Sequence, residues 1–292
     1  KAITFDLDDT LWPLKPTLIH AENETYEWLK INAEPLTNQF SLADISEFRF
    51  KLFNDDVRFK YYDRPSSNLA GGNGARNFGA EKSQGQWLIF LDSDDLLIQT
   101  ALFDRMKHEY QYDMLISVTG TFKRKLGDSD VIWNKVSPNS NHVELINRYI
   151  NMDMPWHTNG VTWKRDFFQK IGGWNEKLRA WQDWEIHCRS LFYNPVLQFT
   201  GELPDNYFRL SRHDSIGKTI RSSSYMNSVY DSFVSIDGFL ANNKEIFDLV
   251  KSNYEKLLCK MLISFPVKKG FLFFPLKTLK RIPFFKEARR FF

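Results

Sequence analysis

The chain has 292 residues, 42% of them hydrophobic and 26% charged, with 26 Phe and 9 Trp among a 16% aromatic content. That composition suits a globular chain with a buried core and room for one large domain or two ordinary ones. Two features exclude other classes. Its two cysteines, Cys188 and Cys259, cannot form a disulfide framework, and no apolar run approaches the roughly 18 residues of a spanning helix. The chain opens on Lys1 without a secretory signal, so a cytoplasmic location and a missing natural start are expected.

The net charge of +3 is unevenly spread. From Ser264 to Phe292, eight Lys/Arg stand against Glu287 alone, so +3 overall less +7 in the tail leaves −4 elsewhere. Eight Phe are interleaved with those cations. The pattern predicts a tail lying on an anionic membrane surface, with a helix pair packed on the domain as the alternative. Because the excess is confined to the tail, nucleic acid is not expected as a partner.

In chain order, residues 2–7 predict a short strand, Pro16 to Ile31 a helix with proline in its first turn, and Ser41 to Phe53 a second helix capped by Ser41. Asn54-Asp55-Asp56 breaks the pattern ahead of an alternating strand over 57–62. A loop from Arg64 to Gly74 leads to a helix over 75–83 and an apolar strand over 86–91. Its Gly-rich part, 69–74, lacks the Lys-Ser/Thr of a phosphate loop. A helix over 97–110, a strand over 114–118 and a hairpin reaching Trp133 follow. Residues 142–149 and 181–192 read as helices, 160–163 as extended, and everything from Ser223 as helical. Alternating strand and helix predict an α/β fold whose mostly parallel sheet is flanked by helices.

Two strands run into clustered aspartates. In FDLDDTLW, Asp6 and Asp8 are spaced as a nucleophile and acid/base pair for phosphoryl transfer. The stretch resembles the first motif of haloacid dehalogenase-like phosphatases, a likeness covering residues 1 to 53. The rest of such a site is missing: MLISVTG and KLGDSD, the nearest mimics of later motifs, stand only about ten residues apart. The second stretch, NGARNFGAEKSQGQWLIFLDSDDLL, carries Asp92, Asp94 and Asp95 at a predicted strand end. Carboxylates two apart on an extended chain face one side, and hard oxygen ligands there suit Mg²⁺ or Mn²⁺ against a diphosphate.

Three blocks together resemble family-2 glycosyltransferases of the GT-A fold. They are Ala75-Arg76-Asn77 through Asp92-Ser93-Asp94-Asp95, then Gly172-Gly173-Trp174-Asn175-Glu176 with Trp181-Gln182-Asp183-Trp184-Glu185, then Tyr207-Phe208-Arg209 with His213-Asp214-Ser215-Ile216. The resemblance implies a nucleotide-sugar donor, a UDP-sugar by preference, and a glycan or lipid-linked acceptor. Asp92 and Asp94 would bind donor and metal, with Asp95 behind them. Asp183 would be the base of an inverting displacement, although a helix-start carboxylate favoured by the macrodipole is its plain reading. Arg76 and Asn77 face the donor or serve local structure. Arg209 and His213 are candidates for the diphosphate or the metal. Trp163, Trp174, Trp181 and Trp184 are either an acceptor platform or core, and His157 reads as structural.

The family's opening strands, which hold the nucleotide base, are replaced by the phosphatase-like start. The chain therefore divides into 1–53, a glycosyltransferase core over 54–220, and a helical basic-aromatic region over 221–292. Besides transfer, the alternatives are a phosphatase using Asp6 and an inactive remnant that binds sugar or membrane.

Overall fold

The run Trp-Leu-Ile-Phe-Leu, bracketed by Gly85 and Asp92, forms the strand on which the architecture is hung: β2, Trp87–Asp92, buried along its first five residues. A strand apolar on both faces needs cover on both. The computed structural model describes residues 4–6, 26–27, 30–31, 34–45, 47, 60, 62, 64–69, 71–92, 95–108, 111–133, 136–137, 139–210 and 223–264.

The main sheet comprises β1 (Thr4–Asp6), β2, β4 (Met114–Ile116), β6 (Val161–Lys164) and β7 (Leu197–Phe199), in the order β1-β2-β6-β4-β7. β1 pairs parallel with β2 and β7 parallel with β4, while β6 is antiparallel to both of its neighbours. Four strands therefore share one direction and β6 alone is reversed, so the sheet is mixed in its ladders although mostly parallel in strand direction. A second sheet, β3-β8-β5, joins β3 (Leu96–Leu97), β5 (Thr119–Phe122) and β8 (Asn206–Arg209).

The helices among the described residues are α1 (Glu34–Thr37), α2 (Gly72–Lys82), α3 (Ala101–Arg105), α4 (His142–Ile150), α5 (Arg165–Lys170), α6 (Gln182–Phe192), α7 (Ser223–Asn242) and α8 (Lys244–Ser264). A 3₁₀ turn, Thr158–Gly160, precedes β6. The apolar faces of α4, α6, α7 and α8 meet the sheet in one core that includes Leu88, Phe90, Tyr149, Trp163, Trp174, Trp184, Phe233 and Tyr254. Asn253 Nδ2 on α8 donates to Asn147 Oδ1 on α4 at 2.8 Å. None of the described helices is long and apolar enough to cross a membrane.

Two expectations are corrected. Leu96 and Leu97 open no helix; they pair with Tyr207 and Asn206 as β3, and the helix begins only at Ala101, after a turn at Gln99-Thr100. The hairpin to Trp133 closes through a single antiparallel bridge, Gly120 to Ile132. Its tip is held by Asp128, whose carboxylate accepts from the N–H groups of Lys123 (2.8 Å), Arg124 (2.8 Å) and Lys125 (3.1 Å), which lowers its pKa to about 2. Of the helices expected over 16–31 and 41–53, residues 26–27, 30–31, 42–45 and 47 are described and are helical. Of the strand expected over 57–62, residues 60 and 62 are described and lie outside any strand. The rest of those segments and the basic tail from 265 lie outside the described residues.

One buried ion pair joins the two sheets. Arg105, fully buried, meets the Asp205 carboxylate through Nε at 2.7 Å and Nη2 at 2.8 Å, and also donates to the Asn159 carbonyl (3.0 Å) and Thr162 Oγ1 (3.3 Å). Removing one member of such a pair leaves the other charge buried alone, which costs about 3–5 kcal/mol. Arg105→Met should accordingly lower stability in chemical denaturation by that order, and adding Asp205→Leu should recover part of the loss. A full-length midpoint unchanged by Arg105→Met would show the pair to be dispensable.

Candidate active site

β2 delivers Asp92 to the sheet edge, and α2 runs back beside it. One turn into α2, Arg76 places Nη2 at 2.6 Å from Asp92 Oδ1, and its guanidinium lies 4.6 Å from the centre of the Trp174 ring. Asn73 Oδ1 accepts from Nη1 at 3.3 Å. The next residue, Asn77, acts as a substitute peptide for the turn holding Trp174: Oδ1 accepts from the Trp174 N–H at 2.9 Å and Nδ2 donates to its carbonyl at 2.8 Å. Glu176 closes the arrangement, accepting from Asn77 Nδ2 (3.0 Å) and from the Leu69 N–H (2.8 Å). These bonds join blocks about a hundred positions apart in sequence.

The turn is possible because Gly172 and Gly173 adopt positive φ, 84° and 63°. A Cβ on Gly173 would lie 2.7 Å from Asn77 Oδ1, whereas one on Gly172 would meet nothing within 4 Å. Behind the turn, Arg189 donates to the Ile171 and Gly173 carbonyls and pairs with the buried Glu185 carboxylate at 2.7 and 2.9 Å. From α7, Ser228 Oγ accepts from the N–H groups of Arg179 and Ala180 at 2.5 and 2.8 Å. The chain then enters α6 through Trp181 in the left-handed region (φ 54°), unusual for a bulky residue and typical of strain kept at working sites. Two residues later stands Asp183.

The charge of Asp92 acts on Asp183, and Arg76 acts on both. Their proton affinities move apart. Burial pushes Asp92 up, but the charge and hydrogen bond of Arg76, helped by His157, outweigh it and hold the carboxyl below its usual value. Burial also pushes Asp183 up; Arg76 opposes, Asp92 reinforces, and the net shift is upward. The Thr158 hydroxyl lies close enough to oppose that shift a little, and Asp183 Oδ1 is buried. One carboxylate held ionised beside another with raised affinity is the pattern of divided acid–base roles.

The remaining candidates are placed unequally. Asn77 serves the turn, and Arg76 serves Asp92. Asp95 is buried and structural: it accepts from Asn159 Nδ2 (2.5 Å) and the Arg209 N–H (2.8 Å), and its own N–H donates to the Asp92 carbonyl (3.1 Å). Arg209 Nε faces the Lys123 carbonyl at 3.4 Å. Of their two readings, Trp163, Trp174 and Trp184 take the core one, being 0%, 2% and 1% exposed, and half-buried Trp181 packs on Trp184 and Phe233. Asp6 stands on β1 in register with Asp92, its side chain outside the described residues. Asp8, Asp94 and His213 lie outside them altogether.

Among the described residues no three acidic, His or Cys side chains gather as a metal site. Asp92, kept ionised, fits one hard-oxygen ligand of a divalent cation. His157, read from the sequence as structural, has a tie to Asp92 that no local pattern showed. Its charge acts on Asp92 although 65 positions separate them, and the only sequence signal was its place just before a buried strand.

Comparisons with known proteins bear on the fold. Residues 41–172 match the family described as Glycosyl transferase family 2; that match begins ahead of residue 54, where the sequence blocks start. An uncharacterized glycosyltransferase of Rickettsia bellii (strain RML369-C) is 33% identical over 97 residues, which make up 33% of this chain and only 13% of that protein. Among solved structures, S. aureus TarS 1-349 aligns over 82% of this chain and 68% of its own at 13% identity and a TM-score of 0.53. The same protein in complex with UDP-GlcNAc aligns over 84% and 69% at 16% identity and 0.50. The likeness shows the fold: an α/β, GT-A-like glycosyltransferase architecture.

The paired glycines give a graded test of the turn. Gly172→Ala should cost about 1 kcal/mol from backbone conformation alone, whereas Gly173→Ala should cost more, since its methyl also displaces Asn77. Equal denaturation midpoints for the two variants would remove the proposed close approach.

Proposed function

We propose that the chain is an inverting family-2 glycosyltransferase that moves a sugar from a nucleotide-diphosphate donor, a UDP-sugar, to a hydroxyl of a glycan or lipid-linked acceptor. The observation that carries this reading is the pair Asp92 and Asp183 in one site, driven to opposite proton affinities around a shared Arg76. The match over residues 41–172 supports it, and the TarS complex with UDP-GlcNAc supports UDP-sugars as the donors to screen.

Asp183 takes the proton of the acceptor hydroxyl as that oxygen attacks the anomeric carbon from the face opposite the leaving group. The bond from the anomeric carbon to the diphosphate oxygen breaks, and its electron pair leaves with the nucleotide diphosphate. A raised proton affinity favours this: a carboxylate stabilised like Asp92 would be too weak a base. Asp92 and Asp94, with His213, would hold Mn²⁺ or Mg²⁺, which when bound offsets charge on the leaving diphosphate. Arg76 keeps Asp92 ionised for that duty. The phosphatase alternative on Asp6 and Asp8 gains no support, because the family match covers only the transferase and β1 is built into the same sheet as β2.

Calorimetry of UDP binding with and without Mn²⁺ tests the donor site; a folded chain without UDP affinity would leave a remnant and not an enzyme. Asp183→Asn should keep UDP affinity within about twofold while transfer falls by about 10²–10⁴. The same variant should melt higher. A buried acid whose folded pKa is raised destabilises the fold as pH climbs from its unfolded value through the folded one, and Asn removes that penalty at neutral pH. Because the base must be ionised, activity should fall as pH drops through the raised pKa of Asp183. Arg76→Gln, which removes the charge lowering it, should shift that acid limb to higher pH, and Arg76→Lys should restore it. A limb that stays in place would remove Arg76 from the electrostatics of the base.

A further inference from the structure

With the four tryptophans named above assigned to core or its edge, another set of rings stands beside the site. Trp133, His157 and Phe208 form a mutual cluster. His157 lies 4.4 Å from Phe208, and Trp133 meets His157 at 5.3 Å and Phe208 at 5.6 Å, both edge-on at 72° and 74°. All three are half-buried, unlike Trp163, Trp174 and Trp184. Trp133 is fixed by its N–H on the Thr119 carbonyl (2.8 Å) and its indole Nε1 on the Met154 carbonyl (3.2 Å).

The cluster is tied to the acidic turn from two sides. His157 directly precedes the 3₁₀ turn whose Asn159 donates to Asp95, and Phe208 directly precedes Arg209, whose N–H donates to the same carboxylate. Asp95 in turn closes on the Asp92 carbonyl. β6 runs antiparallel to β2, so the turn entering β6 lies at the edge where β2 ends in Asp92. That is the β6 side of β2, away from β1. A partly exposed aromatic cluster rigidly attached to an acidic centre is matched by a ring with an apolar C–H face and polar rim, which is the chemistry of a pyranose.

We propose that Trp133, His157 and Phe208 form the platform on which the acceptor's sugar ring stacks, which makes the acceptor a carbohydrate. This rests on the transferase reading above and specifies its acceptor. A donor diphosphate would be held at Asp92 through a divalent cation, which leaves the aromatic side for the second sugar.

The test uses the full chain labelled with ¹⁵N, following the Trp133 indole resonance, identified by its loss in Trp133→Phe. Methyl glycosides of glucose, galactose and N-acetylglucosamine are titrated with UDP and Mg²⁺ present, and again without them. At least one glycoside should shift the resonance, and its binding should weaken roughly tenfold in Phe208→Leu, followed by that resonance, and in Trp133→Leu, followed by calorimetry, while UDP affinity is unchanged. No shift with any glycoside at millimolar concentration, or equal binding by both variants, would overturn the platform. Loss of UDP-GlcNAc affinity in the variants without loss of glycoside affinity would make it a donor-sugar site and equally overturn the proposal. A wild-type chain that binds glycoside at Trp133 but not UDP would retain the platform and sink the transferase; the reverse would do the opposite.

Discussion

A single cation organises this site. Arg76 is only 4% exposed, and burying a guanidinium is unfavourable unless its charge is met. Here it is met on two sides, by the Asp92 carboxylate at 2.6 Å and by the face of Trp174 at 4.6 Å. Both partners need Arg76 as much as it needs them. Asp92 would otherwise be pushed toward protonation by burial, and Trp174 occupies a turn with two left-handed glycines. The ion pair and the cation–π contact are therefore one constraint, and it fixes the distance between the end of β2 and the Gly-Gly-Trp turn.

From that constraint the position of Asp183 follows. The turn is held in front by Asn77 and Glu176 and behind by Arg189 and Glu185, so the short path from Trp174 to α6 starts from a fixed point. Ser228 and Ser232 of α7 then bind the backbone at Arg179 and Ala180. The helical region after residue 223 thus does more than cover the core: it clamps the approach to Asp183. The strained Trp181 is stable where it is because the chain on both sides of it is already held, by serine hydroxyls before and by the packed helix after.

Much of this could be read from the sequence, and the divisions are physical. Local patterns were legible: the strand ending in Asp92, the helices read at 142–149 and 181–192, and the Gly-Gly turn ahead of Trp174. What the patterns lacked was direction. Arg76 and Asn77 were visible as site residues, but only the fold shows that they face Asp92 and the Trp174 backbone. The tryptophans at 163, 174 and 184 were ambiguous because indole serves core and sugar recognition equally well; their burial decides it. His157 was illegible for the opposite reason, since its relation to Asp92 comes from β6 pairing with β2, a contact between distant segments that no local window contains.

The same distinction between backbone and side chain bears on the N-terminal strand. β2 has two edges, and an edge left open presents unpaired N–H and C=O groups. β6 takes one; β1 takes the other, in parallel, with Thr4, Phe5 and Asp6 opposite Phe90, Leu91 and Asp92. Ladder hydrogen bonds use backbone groups that every residue but proline supplies, so a strand need not carry transferase sequence to complete this sheet. It needs only an apolar run of the right length that turns acidic at its end, which FDLDD provides. Recognition of a nucleotide base is a different matter, because it depends on particular side chains at that edge. A segment without transferase motifs can therefore complete the sheet through its backbone alone, and the register sets Asp6 opposite Asp92.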